Sequence, residues 1–248
     1  MDKHSGPSWQ IEVPQQEVAA LYQQRLLANQ PECAFASYAA RMSPLFGISG
    51  DIAFVWRAGT EKDPTFRGFI GDAMGKGVEA AFVSLIALAG MTATGRSDCA
   101  ERLKKAHNLI YTEQGLTFMT GLHFSLRPDG RLSLANAGHL PALLLHANGS
   151  IDFVPKSAGH AMGMFEGALD CETESYQLVK GDRLLLLTDG LVENRALSLS
   201  HDTLEHIARA GWTGSLSEDA DTIWTMLQAL NPSAAQDDQT MMLVEYSG

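Results

Sequence analysis

The sequence has few cysteines, no long apolar run and no apolar leader at its start. Its three cysteines, Cys33, Cys99 and Cys171, are scattered and lack CxxC spacing. This argues against a zinc site and a disulfide framework and favours a reducing compartment, so we expect a cytoplasmic protein with buried thiols. The longest apolar run, around residues 80–91, is too short to cross a membrane. The first ten residues lack the apolar core of a signal peptide.

Positive charge is scarce. The chain carries 18 Lys and Arg against 29 Asp and Glu, a formal net charge of −11. This balance argues against nucleic acid or an anionic membrane surface as the main partner, and it is compatible with cation binding. Hydrophobic residues make up 45% of the chain and charged residues 19%, as expected of a globular protein with a sizeable core.

The nucleotide-binding glycine loops are also absent. The stretch FIGDAMGKG, residues 69–77, has glycines and a lysine ahead of a helical pattern. Only three residues separate Gly71 from Gly75, and Lys76 is followed by glycine, so the spacing fits neither the P-loop nor the dinucleotide pattern. What remains is an acid, Asp72, at the end of an apolar run on a glycine turn. Such an acid is either a solvated turn residue or a ligand for a hard metal ion.

The hydrophobic pattern predicts an α+β fold with mainly antiparallel sheets. Residues 1–30 read as a tail with a Gln-rich lead-in helix over 15–30, and residues 31–248 read as one domain. Two hairpins are expected, at Pro128-Asp129-Gly130 and at Asn148-Gly149. The remaining predicted strands are 34–40, 52–57, 66–70, 173–179, 183–187 and 241–246, and the predicted helices are 78–92, one capped by Ser97, 204–210 and 220–230.

Acidic residues recur where apolar runs end. Asp51 lies in SGDIAF, Asp72 ends FIGD, Asp189 follows the apolar LLLLT, and the pair Asp237 and Asp238 precedes the last strand. Carboxylates that converge repel one another unless a cation neutralises them, and oxygen ligands without a His or Cys cluster indicate magnesium or manganese. Each acid alone is more typical of a turn or a helix cap. Asp182, by contrast, reads as a plain hairpin turn residue.

Four blocks together resemble a known family. GDAMGKGVEAA, LANAGHLPALLL, GDRLLLLTDGLVE and DDQTMMLV occur in this order between residues 71 and 244, and the whole match covers about residues 20–248. The set is similar to the SpoIIE/RsbU-like branch of the PPM metal-dependent serine/threonine protein phosphatases of bacteria. The upstream pieces LYQQRLLANQP and SGDIAF resemble that family's lead-in helix and first acidic motif.

The resemblance implies a central antiparallel β-sandwich flanked by helix pairs, in α-β-β-α layers, with two or more Mn²⁺ or Mg²⁺ ions. By position, Asp72 would bridge two metals, and Asp51 and the backbone carbonyl of Ala73 would serve one of them. Asp189 and Asp237 would hold the other, with Asp238 as second choice. Asp72 and Asp189 are the predicted catalytic residues, acting through two ions ~3.5–4 Å apart that activate a water.

The sequence departs from the family pattern at two places. Ser49 replaces a glycine of the first motif, and Phe54 stands where a second Asp is usual. The loop that often reads Pro-Leu-Gly is Ala161-Met162-Gly163. These changes leave open a catalytically weak or inactive phosphoprotein-binding module. A phospho-accepting receiver domain fits less well, because its acid pair would come early in the chain.

The resemblance also implies partners. The expected substrate is a phosphorylated protein, by analogy a STAS-domain antagonist in a partner-switching pathway, with an upstream activator or sensor and a homodimer formed through the N-terminal helix as further expectations. His139, in NAGHLP, is a candidate proton donor, although a structural histidine is the favoured reading. His123 and His107 read as packing residues.

Overall fold

The computed structural model describes residues 20, 21, 23, 25, 31–93, 95, 97–113, 117–192, 200–212, 214–230 and 237–248. Residues 20, 21, 23 and 25 are helical, as the lead-in helix requires, and the rest of the predicted helix over 15–30 lies outside the described residues. No helix in the described part of the chain is both long enough and apolar enough to cross a membrane.

Ten strands form two antiparallel five-stranded sheets. One sheet has the order β1-β10-β9-β6-β7 and the other the order β2-β3-β4-β5-β8. The strands are β1 (Ala36–Ser43), β2 (Ile52–Thr60), β3 (Asp63–Ala73), β4 (Met119–Leu126), β5 (Arg131–Ala137), β6 (Ala142–Leu145), β7 (Ile151–Val154), β8 (Glu174–Gln177), β9 (Arg183–Leu187) and β10 (Gln239–Tyr246).

Five helices are present among the described elements: α1 (Val78–Thr92), α2 (Cys99–Ile110), α3 (Asp189–Val192), α4 (His201–Ala210) and α5 (Leu216–Leu230). Asp98, and not Ser97, caps α2, since its carboxylate accepts the Glu101 N–H at 2.9 Å. The prediction of a Ser97 cap was wrong by one residue because both residue types suit that position. Ser200 caps α4, which begins earlier than its apolar pattern indicated.

The elements stack in four layers, as the sequence predicted. One apolar core lies between the two sheets and takes residues such as Phe66, Phe124 and Leu186 from both. A second core, including Phe69 and Leu103, joins α1 and α2 to the β2–β5 sheet. A third, including Leu185 and Ile223, joins α4 and α5 to the other sheet. Each sheet is therefore packed against an apolar core on both of its faces.

Both hairpins predicted from turn residues are confirmed, and a third is tighter than expected. β4 pairs with β5, and β6 pairs with β7. The strands predicted at 52–57 and 66–70 extend toward each other, because β2 and β3 pair as far as Thr60 and Asp63. The pairing of β2 with β3 is continuous from that turn to the other end of the sheet, where Ile52 faces Gly71.

Asp182 does not lie in a hairpin turn. β8 belongs to one sheet and β9 to the other, so the chain crosses between the sheets at this point. The Asp182 carboxylate is buried and accepts the N–H groups of Ala147 at 2.8 Å and Val179 at 2.9 Å. The Gly-Asp pair signalled a turn, but local residues carry no information on which strand the chain joins next.

Candidate functional site

The acids predicted as ligands lie at one common end of the two sheets. Asp51 precedes β2 and Asp72 lies near the end of β3, which are neighbouring antiparallel strands. Asp189 follows β9 and Asp237 precedes β10, which are likewise antiparallel neighbours. In an antiparallel pair the start of one strand and the end of the other share an edge, so each sheet contributes acids from two strands.

Direct contacts join the two sheets at this end. The Thr188 hydroxyl donates to Asp51 Oδ2 at 2.7 Å, so the residue before Asp189 touches the first acidic motif. A hydrogen bond also links the side chains of Asp51 and Asp72. The four segments that carry the predicted ligands are thus brought together, although they are far apart in the chain.

Burial and the crowding of carboxyl groups at this end raise the pKa values of Asp72 and Asp51. Burial, followed by the charges of Asp189, Asp237 and Asp238, raises the pKa of Asp72 to about 7. Burial, followed by the charge of Asp72, raises the pKa of Asp51 well above its usual value, against the lowering effect of the Thr188 hydroxyl. Such mutual repulsion is the condition that a bound cation relieves.

Asp237 and Asp238 have different environments despite being adjacent. Asp238 is 4% exposed, and its two carboxylate oxygens accept the N–H groups of Leu45 at 2.7 Å and Gly50 at 2.8 Å. Asp237 is exposed and is paired with the Lys76 ammonium at 2.8 Å. Asp238 thus holds the loop before Asp51 through two hydrogen bonds, while the Asp237 carboxylate forms an ion pair with the Lys76 ammonium.

Glycine permits the close approach of the loops. A Cβ at Gly50 would lie 2.9 Å from Ala80 Cβ and 3.0 Å from the carbonyl oxygen of Ala73. A Cβ at Gly190 would lie 1.9 Å from the carbonyl oxygen of Asp238. The glycines therefore bring the Ala73 carbonyl and the Asp237-Asp238 turn within reach of their neighbours.

The donor set suits a hard divalent cation. Its members are carboxylate oxygens and a main-chain carbonyl, and a lysine ammonium already lies against one of them. Within the part of the chain that the structure describes, no set of three or more His, Cys, Asp or Glu side chains is already arranged to hold a metal ion. The chemistry of the residues fits Mg²⁺ or Mn²⁺, and the ligand assignment of Asp51, Asp72, Ala73, Asp189 and Asp237 stays a prediction.

The departures from the family pattern have structural explanations. The Ser49 hydroxyl accepts the Asp51 N–H at 3.1 Å, so serine supports the acid's backbone where a glycine could not. Phe54 packs toward α1 and α2 and stacks on Trp56 with ring centroids 6.0 Å apart. It offers no oxygen ligand, and its side chain is part of the core beneath the helices.

Gln23 is a contact that the sequence did not single out. This helical residue is 4% exposed; its Nε2 donates to the Ser49 carbonyl at 2.7 Å, and its Oε1 accepts the Ser49 N–H at 3.0 Å. One side chain therefore satisfies both backbone groups of the residue two positions before Asp51. The Gln-rich composition of the lead-in helix was the only available signal, and it did not distinguish Gln23 from its neighbours.

His107 and the loop 159–169 form a second unrecognised contact. The imidazole accepts the Gly163 N–H at Nδ1, 3.0 Å away, and its Nε2 lies 2.9 Å from the Gly167 carbonyl. The histidine thus fixes the irregular glycine-rich loop onto α2. It is more than the packing residue that its helical position suggested.

His139 is a buried residue next to the acidic end. Its Nδ1 lies 2.9 Å from the hydroxyl of Thr120, which faces Asp72 across the β3–β4 pair. Burial lowers the pKa of His139 to about 4, with partial compensation from the Leu187 main chain. At neutral pH the imidazole is uncharged, which supports a structural role over that of a charged proton donor.

We expect His139 to make the protein sensitive to acid. Its folded-state pKa is depressed from 6.5 to about 4, so the stabilising effect of the neutral ring is complete above pH 6.5 and is lost as the pH falls toward 4. Between pH 7.5 and pH 5 the wild-type protein should lose about 2 kcal/mol more unfolding free energy than His139→Gln. Urea unfolding at the two pH values measures this difference, and equal losses in the two proteins would contradict it.

Comparison with known proteins agrees with this architecture. The model of the family Stage II sporulation protein E (SpoIIE) matches residues 62–247. The chain is similar to the SiaA-PP2C domain of Pseudomonas aeruginosa, with a TM-score of 0.75 and 19% identity over 94% of this chain and 96% of that one. It is also similar to the RsbU and RsbW domains of a Mycobacterium tuberculosis protein, with a TM-score of 0.73 and 24% identity over 90% of this chain and 63% of that one.

A third similar structure was solved with ions. The catalytic domain of the serine/threonine protein phosphatase PstP, in complex with 2 manganese ions, has a TM-score of 0.61 and 17% identity over 86% of this chain and 99% of that one. At these identities the structural likenesses establish the fold, and the family model covers most of the chain. This protein is therefore a member of the SpoIIE family, with the fold of the PP2C-type serine/threonine phosphatases.

Proposed function

We propose that this chain hydrolyses phosphoserine or phosphothreonine on a partner protein and depends on divalent manganese or magnesium. One observation carries the proposal: acids from four separate segments meet at one end of both sheets, where burial and the neighbouring carboxylates raise the pKa values of Asp51 and Asp72. Membership of a phosphatase family supports it. The proposed ligands are Asp51, Asp72, the Ala73 carbonyl, Asp189 and Asp237, with two or more ions.

The chain's own residues have distinct tasks in this proposal. Bound divalent ions would supply an activated water and neutralise the phosphoryl charge. Thr188 orients the Asp51 carboxylate, and Asp238 holds the loop before it through two amide hydrogen bonds. Lys76 can exchange its contact with Asp237 for a contact with a phosphoryl oxygen once an ion neutralises that acid.

A covalent cysteine mechanism is not supported by the two buried thiols. Burial raises the pKa of Cys99 to about 12 and that of Cys171 to about 11. A thiol acts as a nucleophile only as thiolate, so these two remain inert at neutral pH. Direct attack of water on phosphorus is the step that the acidic end can serve.

Phosphate release is the direct test. Purified protein with Mn²⁺ should release inorganic phosphate from a serine-phosphorylated STAS-domain protein, the substrate class that the family resemblance implies. Chelation of the metal should abolish the release, and added Mn²⁺ or Mg²⁺ should restore it. Release that persists unchanged in excess chelator would overturn the proposal.

Phe54 favours one alternative function. Because a phenylalanine occupies the place of a frequent family acid, the chain could be a catalytically weak module that binds a phosphoprotein. Calorimetric titration separates the two functions. Tight partner binding without any Mn²⁺ binding would support the module, while Mn²⁺ binding that accompanies turnover would support the enzyme.

We further propose that binding of an activator, or formation of a homodimer, at the lead-in helix changes the position of the Asp51 loop through Gln23. Gln23→Leu removes both hydrogen bonds to Ser49 and leaves two buried backbone groups unsatisfied. We expect a loss of about 1–3 kcal/mol in stability and a roughly ten-fold weaker apparent Mn²⁺ affinity, because the Asp51 loop loosens.

The matched control for Gln23→Leu is Leu21→Ala, which changes a 64% exposed residue of the same helix. The control should leave Mn²⁺ affinity unchanged. Manganese titrations that give the same affinity for wild type and Gln23→Leu would contradict a link between this helix and the site.

A further inference from the structure

A cluster of basic side chains, none of which makes an ion pair within the described residues, lies between α2 and the β2–β5 sheet. Arg67 on β3 faces Trp56 and Ser125 across its neighbouring strands, and His123 on β4 faces Phe69. Phe69 and Trp56 belong to the core beneath the helices, so this face of the sheet looks toward α2. Cys99 at the start of α2 contacts Ser125, and Arg102 follows one helical turn later.

Five buried nitrogen atoms of this cluster make no hydrogen bond within the described residues. They are Nε and Nη1 of Arg67, Nε of Arg102, and both ring nitrogens of His123. Arg102 is 1% exposed, and its remaining guanidinium nitrogens donate to the carbonyls of Met91 and Gly95. Buried guanidinium groups without a compensating anion are costly, so this concentration calls for a ligand.

The charges of the cluster act on one another. Burial lowers the pKa of Arg102 to about 10, and the charge of Arg67 adds to the effect. Burial, with the charges of Arg67 and Arg102, also lowers the pKa of His123 well below its usual value. The two guanidinium groups, with a neutral His123 beside them, thus form one electropositive region in a chain of net charge −11.

A cavity of about 260 Å³ opens onto this region. Arg67 and Arg127 line it, together with the hydroxyl-bearing residues Thr60, Thr65 and Ser97, the acids Asp63 and Asp98, and the backbone of residues 58, 59 and 95. Both acids are engaged elsewhere: Asp63 pairs with Arg127, and Asp98 caps α2. Arg67 makes no ion pair among the described residues. Burial is the main cause that lowers its pKa, and the charge of Asp98 offsets this only in part.

We propose that this cavity is a binding site for a tetrahedral oxyanion of the phosphate or sulfate type, held by Arg67 with Arg127 and the wall hydroxyls. A planar guanidinium donates two parallel hydrogen bonds to such an anion, and hydroxyls complete its coordination. The site is separate from the acidic end, because Arg67 precedes Asp72 by five residues on β3, roughly 16 Å along an extended strand. It does not depend on the proposed phosphatase activity.

Calorimetric titration of the full chain, loaded with Mg²⁺, with inorganic phosphate tests this site. Arg67→Gln should weaken the binding of phosphate to the cavity by about ten-fold or more, since it removes the guanidinium that would hold the anion. Arg57→Gln, on the neighbouring strand and exposed, removes the same charge without touching the cavity and should change the affinity by less than about two-fold. Any phosphate bound at the acidic end is common to all three proteins.

A second variant and a second readout keep the result interpretable. Arg127→Gln, at the cavity wall, should weaken phosphate binding several-fold, and phosphate should raise the melting temperature of wild type more than that of Arg67→Gln. A peptide with a non-hydrolysable phosphonate analogue of phosphoserine distinguishes the source of the anion. Binding of the peptide that requires Arg67 indicates a phosphorylated side chain, and binding of phosphate alone indicates the free ion. Equal phosphate affinity in wild type, Arg67→Gln and Arg57→Gln would overturn the site.

Discussion

Asp72→Asn should lose phosphatase turnover and gain stability in the metal-free state. Besides burial, the charges of Asp189, Asp237 and Asp238 all raise the pKa of Asp72, which places its carboxyl group at the centre of the acidic end. An amide of the same shape cannot replace the proposed shared ligand, and we expect kcat to fall by about 10³-fold, the scale of losing a principal electrostatic contact. Phosphate release from a phosphorylated STAS-domain protein measures the loss.

The stability gain follows from the direction of the pKa shift. The folded-state pKa of Asp72 is raised from 3.8 to about 7, so its contribution to stability is fully present below pH 3.8 and is lost as the pH rises through 7. Above pH 7 the neutral amide removes that repulsion, and the metal-free variant should melt several degrees higher than wild type. Bound Mn²⁺ should reverse the order, because the ion stabilises only the carboxylate form.

Asp182→Asn is the matched control for Asp72→Asn. Asp182 is also buried, but its oxygens accept two backbone N–H groups where the chain crosses between the sheets. Its amide variant should lose stability and keep its turnover per folded molecule. If Asp72→Asn instead behaves like Asp182→Asn, with full turnover, the proposed role of Asp72 is wrong.

Asp238→Ala should be the most destabilising change at the acidic end. The substitution leaves the N–H groups of Leu45 and Gly50 without their carboxylate acceptor. Hydrogen bonds to charged groups are worth more than neutral ones, so we expect a loss of about 2–6 kcal/mol, against a total of about 5–15 kcal/mol for a typical domain. Urea unfolding measures the loss.

The neighbouring acid provides the contrast. Asp237→Asn removes only an exposed pair with Lys76 and should change stability by less than about 1 kcal/mol. Its Mn²⁺ affinity should nevertheless fall, whereas Asp238→Asn should chiefly lose stability. The opposite pattern, with Asp238 controlling affinity and Asp237 controlling stability, would exchange the two assignments.

The sequence predicted most elements of the fold because each carries its own period, whereas the layered β-sandwich was implied by the family resemblance. The α1 pattern, the turns at 128–130 and 148–149 and the apolar β9 strand all act within a few residues. The crossing at Asp182 was not predictable in this way, because the pairing of β8 and β9 with different sheets is decided by distant partners. The short helix α3 was missed because four residues are too few for a helical period.

The acids of the candidate site could be named from the sequence, and the residues that contact and position them could not. Acids at strand ends and the family resemblance identified Asp51, Asp72, Asp189 and Asp237, and the structure brings their segments together. Gln23, Thr188 and Lys76 could not be found from the sequence, since each acts on a residue far away in the chain. The division of labour between Asp237 and Asp238 likewise depends on loop 45–50, which only the fold places beside them.

The central claim is that the acids of the four segments hold divalent ions at the shared end of the two sheets. Anomalous diffraction at the manganese edge, from crystals of the wild-type protein grown with Mn²⁺, tests it most directly. The account predicts manganese peaks in contact with the carboxylates of Asp72 and Asp189. Well-ordered carboxylates with no manganese between them, at a concentration that saturates turnover, would contradict it.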